Sequence, residues 1–194
     1  MVENREQSTS LAMHGAYQQL ASCPTPETYA RLRGWFITCP DYDPYRDDLR
    51  DIERQVACGQ FAAAGKALEC SMPSLVLSPR AHYLAARIAC QSGDMPRAEL
   101  ECRIAEACVE GILNTGDGSR EHPYQILYAL DEQDVLDFLG LPQNRPRLHH
   151  IEGLHLDRIE VAEGVEVWFD ITEAYHRQTP ASVMEQLKAA LRDP

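Results

Sequence analysis

Apolar residues recur at helical spacing along most of the chain up to residue 111. In one such segment, Leu49, Ile52 and Val56 fall on a single stripe. Thr25 and Ser78 each precede a proline, which is typical of a helix cap followed by the first helical residue. The pattern predicts helices over about 11–21, 26–39, 44–57, 61–72, 79–91 and 96–111. Residues 1–10 are polar and are predicted to form a disordered tail.

The pattern changes after residue 111, where alternation of apolar and polar residues replaces helical spacing. It predicts strands over 124–130, 154–161 and 165–171, a short helix over 131–138 and a last helix over 179–191. Glu163 and Gly164 are predicted to form a hairpin turn between the last two strands. Alternation of this kind favours a small antiparallel β-sheet with one face covered by helices.

Two segments of the helical part resemble each other. Residues 59–68 read GQFAAAGKAL and residues 93–102 read GDMPRAELEC, so that Gly59 and Gly93 are one period of 34 positions apart. This spacing and the glycine between paired helices resemble the tetratricopeptide repeat. The resemblance covers about residues 45–111, and an ordinary antiparallel helical bundle is the alternative.

These elements predict an α+β fold that is mainly helical. Tetratricopeptide-like helical hairpins come first, and a small antiparallel β-sheet and a C-terminal helix follow. We expect one α+β unit over 11–194, with the hairpins in 11–111 and the sheet with its helices in 112–194.

Charge narrows the range of partners. The chain has 30 acidic and 18 basic side chains and a formal net charge of −12. This balance repels phosphate backbones, so nucleic acid is not an expected partner, whereas a basic protein is. Neither a secretory signal nor a membrane span is expected, and the sequence predicts a cytoplasmic protein.

Cysteine and histidine spacing gives no sign of a metal site or a cofactor, and none is predicted. The odd number of cysteines favours small packed residues in a reducing compartment over a disulfide scaffold. The seven are Cys23, Cys39, Cys58, Cys70, Cys90, Cys102 and Cys108. His149 and His155 are predicted to share a strand face, with His150 on the other, as polar surface residues and not as ligands.

The most unusual phrase joins the last predicted helix of the first half to the first strand. Two glycines around an aspartate permit a tight turn that could present backbone amides and an arginine to an anion such as a phosphate group. The candidate ligand-binding residues are Gly116, Asp117, Gly118, Ser119 and Arg120. A plain structural turn, in which Asp117 bonds its own backbone, is the alternative.

The run GILNTGDGSREHPYQILYALDEQDVLDFLG resembles the signature of an uncharacterised bacterial domain-of-unknown-function family. The shared features are the GDG-S turn, an aromatic residue after it, an apolar strand, and an acidic pair that opens a short helix. The phrases at 42–45 and 167–171 also fit that family. The resemblance implies a single fold unit and carries no established activity.

Three classes of function remain open from the sequence. The first is a non-enzymatic protein-binding module, for example a bacterial immunity or adaptor protein with a basic partner. Its candidate contact residues are Trp35, Tyr42, Asp43, Tyr45, Asp47 and Asp48. The alternative is a small-molecule or phosphate-binding protein, or an enzyme, that uses the loop from Gly116 to Arg120. A domain that serves only to dimerise is a third possibility.

The acidic pair at Asp131 and Glu132 is expected to be a solvated helix start.

Overall fold

The computed structural model describes residues 15–39 and 42–178. The helices are α1 (residues 15–22), α2 (Pro26–Phe36), α3 (Asp48–Ala57), α4 (Phe61–Leu75), α5 (Pro79–Gln91), α6 (Met95–Leu113), α7 (Asp131–Phe138) and α8 (Thr172–Gln178). The strands are β1 (Tyr124–Gln125), β2 (Arg147–Ile151), β3 (Leu154–Ala162) and β4 (Val165–Asp170). The helix predicted over 179–191 and the tail predicted over 1–10 lie outside the described residues.

Local capping explains where the helices of the first half begin and end. The side chains of Thr25 and Ser78 accept hydrogen bonds from the amides of Thr28 and Ala81, as expected for N-caps. Gly59 and Gly93 have φ angles of 73° and 77°, which end α3 and α5 in the left-handed region. Both predicted helix–turn–helix units, α3–α4 and α5–α6, are therefore confirmed.

One predicted helix start is wrong. The sequence favours a start at Pro44 with Asp43 as the cap, but α3 starts at Asp48. The carboxylate of Asp43 instead accepts a hydrogen bond from the amide of Tyr45, at 3.0 Å, and stabilises a turn. The residues from 43 to 47 therefore lead into the helix as an irregular segment.

The sheet is mixed, with strand order β1-β4-β3-β2. β3 pairs antiparallel with both β2 and β4, whereas β1 runs parallel to β4. The predicted antiparallel pairing is therefore correct for β3 with β4 and wrong for β1, and the edge strand β2 was not predicted from the sequence. Only Tyr124 and Gln125 remain of the strand predicted over 124–130. The Ile126 amide still donates to the Asp170 carbonyl of β4, but the amides of Leu127, Tyr128 and Ala129 bond outside the sheet.

The hydrophobic core is continuous between the helices and the sheet. Tyr29, Phe36 and Phe169 are among its largest fully buried side chains. The Tyr128 hydroxyl donates to the Ser74 carbonyl at 2.9 Å, so the segment after β1 is bound directly to the end of α4. No helix among the described residues is long and apolar enough to span a membrane.

The cysteines differ from the prediction of packed core residues. Cys39 and Cys108 are buried, and Cys102 is partly covered. Four others are exposed, namely Cys23, Cys58, Cys70 and Cys90. None of the seven forms a disulfide bond. Location in an alanine-rich helix is therefore not sufficient to bury a cysteine, since each helix also has a solvent face.

Candidate functional site: a carboxyl pair in a pocket between α7 and the sheet

The first turn of α7 buries three acidic side chains. Asp131, Glu132 and Asp134 are all less than a tenth exposed. The prediction of a solvated helix start at Asp131 and Glu132 is therefore wrong. α7 packs against α5 and α6 on one side, and Glu132 lines a cavity that reaches β3, so Gln133 is the one exposed residue between Asp131 and Asp134.

Asp131 has a structural role. Its Oδ2 atom accepts hydrogen bonds from the amides of Leu127 and Tyr128, both at 2.8 Å. These bonds bend the chain away from the strand direction and explain why β1 ends after two residues. Burial raises the pKa of Asp131 to about 7, although the two amide bonds act in the opposite direction.

Asp134 belongs to an ion-pair network centred on Arg80 of α5. The Arg80 Nε and Nη2 atoms lie 2.7 Å and 2.6 Å from Asp134 Oδ1, and Nη1 lies 3.1 Å from Glu53 Oε1. Burial raises the pKa of Asp134 to about 6, and Arg80 limits the rise. One guanidinium thus joins α3, α5 and α7.

Glu132 differs from its neighbours because its side chain has neither the amide partners of Asp131 nor the arginine partner of Asp134. Its side chain is 8% exposed, and no donor reaches its buried Oε1 atom. The group beside it is the carboxyl of Asp157 on β3, and the two share a hydrogen bond, which requires a proton on one of them. Burial and the Asp157 charge raise the pKa of Glu132 well above its usual range, and burial raises the pKa of Asp157.

This carboxyl pair lies in a cavity of about 370 Å³ between α7 and the sheet. Ile126, Leu136 and Ile159 supply apolar walls, while Tyr45 and Arg145 are among the polar lining residues. Concave sites with apolar walls and a few polar groups are the usual form of a binding site. We call this cavity the carboxyl-pair pocket.

The pocket has the chemistry to bind a cation. Two carboxyls that share one proton can release it and accept hydrogen bonds from an ammonium or guanidinium group. Within residues 15–39 and 42–178, no three Asp, Glu, His or Cys side chains are grouped closely enough to hold a metal ion.

The loop from Gly116 to Arg120 is built differently from the predicted anion site. The amides of Asp117 and Gly118 both donate to the His122 carbonyl, at 2.9 Å and 3.1 Å, and the Ser119 amide donates to Asp117 Oδ1 at 2.8 Å. The hydrogen bonds from Ser119 lower the pKa of Asp117. Three amides that an anion would need are thus already used inside the turn.

Gly118 fixes this turn to the sheet. Its φ is 75°, its carbonyl accepts the Trp168 amide at 2.9 Å, and an added Cβ would lie 2.7 Å from the Tyr124 ring. We therefore expect Gly118→Ala to lower the free energy of unfolding by about 2 kcal/mol. Gly140 also has a positive φ but open space around it, so Gly140→Ala is the control and should cost only about 1 kcal/mol. Urea titrations would measure both, and equal losses would contradict a role for the Tyr124 contact.

The six predicted partner-contact residues do not form one surface. Tyr45 lines the carboxyl-pair pocket, but Tyr42 is buried and its hydroxyl donates to the Leu127 carbonyl. Trp35 is half-buried and packs edge-on against Phe36. The other three are Asp43, which caps a turn, and Asp47 and Asp48, which pair with Arg50 and Arg46.

The histidine prediction is wrong about the strand faces. A turn with positive φ at Glu152 and Gly153 separates β2 from β3. His150 is therefore directly opposite His155, with ring centroids 4.5 Å apart, and Tyr175 stacks on His155 at 3.8 Å. His149 lies on the other face, beside Trp168.

Asp157 is the residue of the carboxyl pair that the alternation of apolar and polar residues in the sequence did not single out. Apolar residues on β3 occur at 154 and 156 and then at 159 and 161, so the alternation changes phase around Asp157. In the sheet, Asp157 is directly opposite Phe169, and both lie on the same face. The phase change is the only signal that the sequence offers for a charged residue on this face.

Comparisons with profiles of known protein families, with curated proteins and with solved structures found no match for this chain. The resemblance to an uncharacterised bacterial family therefore stays a prediction.

Proposed function

We propose that the protein is a non-enzymatic protein-binding module whose carboxyl-pair pocket receives a basic side chain of its partner. The observation that carries the proposal is the buried Glu132 Oε1 atom, which no donor of the described residues reaches, beside a second carboxyl in an open cavity. A lysine or arginine side chain would supply the missing donor and replace the shared proton.

The distribution of charge supports this choice of site. The exposed acids at the start of α3 have arginine partners close by, since Arg46 pairs with Asp48 and Arg54 with Asp51. The first pair is half-buried and the second is exposed, and an exposed pair of this kind contributes little energy. The carboxyl pair has no such partner among the described residues, and it is enclosed in apolar walls that strengthen an electrostatic contact.

The helical half supports a protein as the partner of the carboxyl-pair pocket. We propose that α3–α4 and α5–α6 are tetratricopeptide-like hairpins, a class that binds peptides and proteins on its surface. Arg80 of α5 connects these hairpins to α7, which provides Glu132. An adaptor, or an immunity protein that neutralises a basic toxin domain, fits a net charge of −12.

The decisive test compares a substitution of the buried Glu132 with a substitution of the exposed Asp47. Glu132→Gln keeps the neutral shape of the protonated side chain but cannot become a carboxylate. The probe is a short peptide in which one lysine is the only charged side chain. We expect Glu132→Gln to weaken binding of this peptide by about tenfold or more, as titration calorimetry would measure. Calorimetry in two buffers of different ionisation enthalpy should also show that the wild-type protein releases a proton on binding.

Asp47→Asn is the matched control, because it makes the same acid-to-amide change at a mostly exposed side chain outside the pocket. Non-specific attraction to an acidic surface predicts that Asp47→Asn weakens binding more than Glu132→Gln. If the carboxyl-pair pocket binds the lysine, Glu132→Gln should weaken binding more than Asp47→Asn. Equal binding of the lysine peptide and its acetyl-lysine counterpart would exclude the proposed function.

A further inference from the structure

A second cavity lies in the helical half, far along the chain from the carboxyl-pair pocket. It is a groove of about 260 Å³ with α5 as its floor, α4 and α6 as walls, and Tyr17 of α1 among its lining residues. Small side chains at Gly65, Ala85 and Ala89 leave the space open. Leu68, Met72 and Ile88 give it an apolar lining.

A buried charge network forms the polar end of the groove. Glu101 of α6 is fully buried, and its Oε1 atom accepts the Tyr17 hydroxyl at 2.8 Å. Its Oε2 atom lies 2.6 Å from His82 Nδ1, while His82 Nε2 lies 2.8 Å from the Val76 carbonyl. A carbonyl can only accept, so Nε2 holds a proton, and one further proton lies between Nδ1 and Glu101.

Glu101 is ionised in this network. Burial opposes its charge, but the hydrogen bonds from His82 and Tyr17, with the charges of His82 and Arg97, together lower its pKa. His82 Nδ1 lies 2.6 Å from the Glu101 carboxylate, whereas Arg97 Nε lies 3.8 Å from it, so Arg97 is not the nearest partner of the buried carboxylate.

Arg97 and Glu69 form the charged mouth of the groove. Arg97 Nη1 lies 3.9 Å from Glu69 Oε1, and Arg97 Nε lies 3.8 Å from Glu101 Oε1. Both separations are at the outer limit of an ion pair, and the Arg97 and Glu69 side chains are 48% and 66% exposed. One cation and one accessible carboxylate thus stand at the entrance to an apolar cavity.

We infer that this groove binds a free α-amino acid with an apolar side chain. The carboxylate of the ligand would pair with Arg97, the ammonium would pair with Glu69, and the side chain would lie between Leu68, Met72 and Ile88. A ligand with a carboxylate alone would face the negative charges of Glu69 and Glu101, and an amine alone would face Arg97. Only a zwitterionic head complements both signs at the mouth.

Ligand-detected NMR and calorimetry with L-leucine and L-methionine would test the inference. We expect saturable binding of both, with no binding of glycine, because glycine lacks the apolar part. 4-Methylpentanoate and 3-methylbutylamine each keep the apolar part and one charge, and both should bind at least tenfold more weakly than leucine. No saturable binding of leucine at millimolar concentration, or equal binding of either single-charge compound, would overturn the inference.

Two variants locate the site. Arg97→Gln removes the cation from an exposed position and should weaken leucine binding about tenfold. Arg103→Gln is the matched control on the exposed face of the same helix and should leave binding unchanged. Gly65→Val should block the groove, because an added Cβ at this position already meets Ile88 at 3.4 Å. Equal effects of Arg97→Gln and Arg103→Gln would place leucine elsewhere and overturn the assignment.

Discussion

Gly111→Ala is expected to lower the free energy of unfolding by about 3 kcal/mol or more. The reason is the contact between α6 and α2, where an added Cβ would lie 2.3 Å from Tyr29 Cδ1, 2.6 Å from Cγ and 2.9 Å from Cβ. Tyr29 is fully buried. Its ring and its first side-chain carbon both stand in the way, so rotation of the side chain cannot remove the overlap and the helices must move apart.

The result is diagnostic because the same substitution normally stabilises a helix. Alanine is favoured over glycine within a helix by about 0.5–1 kcal/mol. Gly34 of α2 has no atom within 4 Å of its added Cβ, so Gly34→Ala should gain up to this amount. Urea unfolding of both variants would show opposite signs, and a gain for both would contradict the close packing of α6 on α2.

A double-mutant cycle separates this overlap from a general loss of stability. Tyr29→Ala alone should cost about 3–5 kcal/mol. In the presence of Tyr29→Ala, the additional cost of Gly111→Ala should fall to a small fraction, since the ring atoms at 2.3 Å and 2.6 Å are gone and only the contact with Cβ at 2.9 Å remains. Additive costs would show that Gly111 has another role.

The second large effect concerns pH. We expect the free energy of unfolding to fall as pH rises from about 4 to about 7. The pKa of Asp131 is raised to about 7 and that of Asp134 to about 6, and burial is the first cause of both. In the unfolded chain these groups titrate near pH 4, so the folded protein holds more protons throughout this range. The stabilisation is present at the acidic end of the range and is lost towards neutral pH.

The size of the fall in the free energy of unfolding follows from the size of the pKa shifts. For Asp131, a rise from an ordinary value to about 7 corresponds to roughly 4 kcal/mol. The raised pKa of Glu132 adds to the fall in the same direction. Glu101 acts in the opposite direction, but its lowered pKa confines that contribution to pH values below about 4.5.

The variant Asp131→Asn tests whether Asp131 causes the fall in stability with pH. The amide oxygen can still accept the bonds from Leu127 and Tyr128, but the side chain no longer titrates. Urea unfolding followed by tryptophan fluorescence should show a clearly smaller fall in stability with pH for this variant. A wild-type protein that becomes more stable between pH 4 and pH 7 would contradict the raised pKa values.

The helical half could be predicted from sequence because its signals are local. Gly59 and Gly93 end α3 and α5, and prolines after Thr25 and Ser78 mark helix starts. Each signal needs only a few neighbouring residues to be read. The turn at Glu163 and Gly164 was predictable for the same reason, and Gly164 has the expected positive φ.

The carboxyl-pair pocket could not be predicted in this way, because it joins residues that are distant in the chain. The burial of Glu132 depends on where α7 lies against the sheet. Asp157 faces the helices only because β3 pairs with β4 in a register that places it opposite Phe169. Similarly, the apolar run 126–128 reads as a strand, yet the carboxylate of Asp131 takes two of its amides.

The pairing of the first strand with the last has a consequence for the order in which the chain folds during synthesis. Helices α5 and α6 adjoin in sequence and can pack as soon as both have left the ribosome. β1 cannot pair until α7, β2 and β3 have been made, since its partner is β4. The Gly118 carbonyl likewise awaits the amide of Trp168. A nascent chain that stops before residue 165 therefore leaves β1 unpaired, and the last strand completes the sheet and the Gly116–Arg120 turn together.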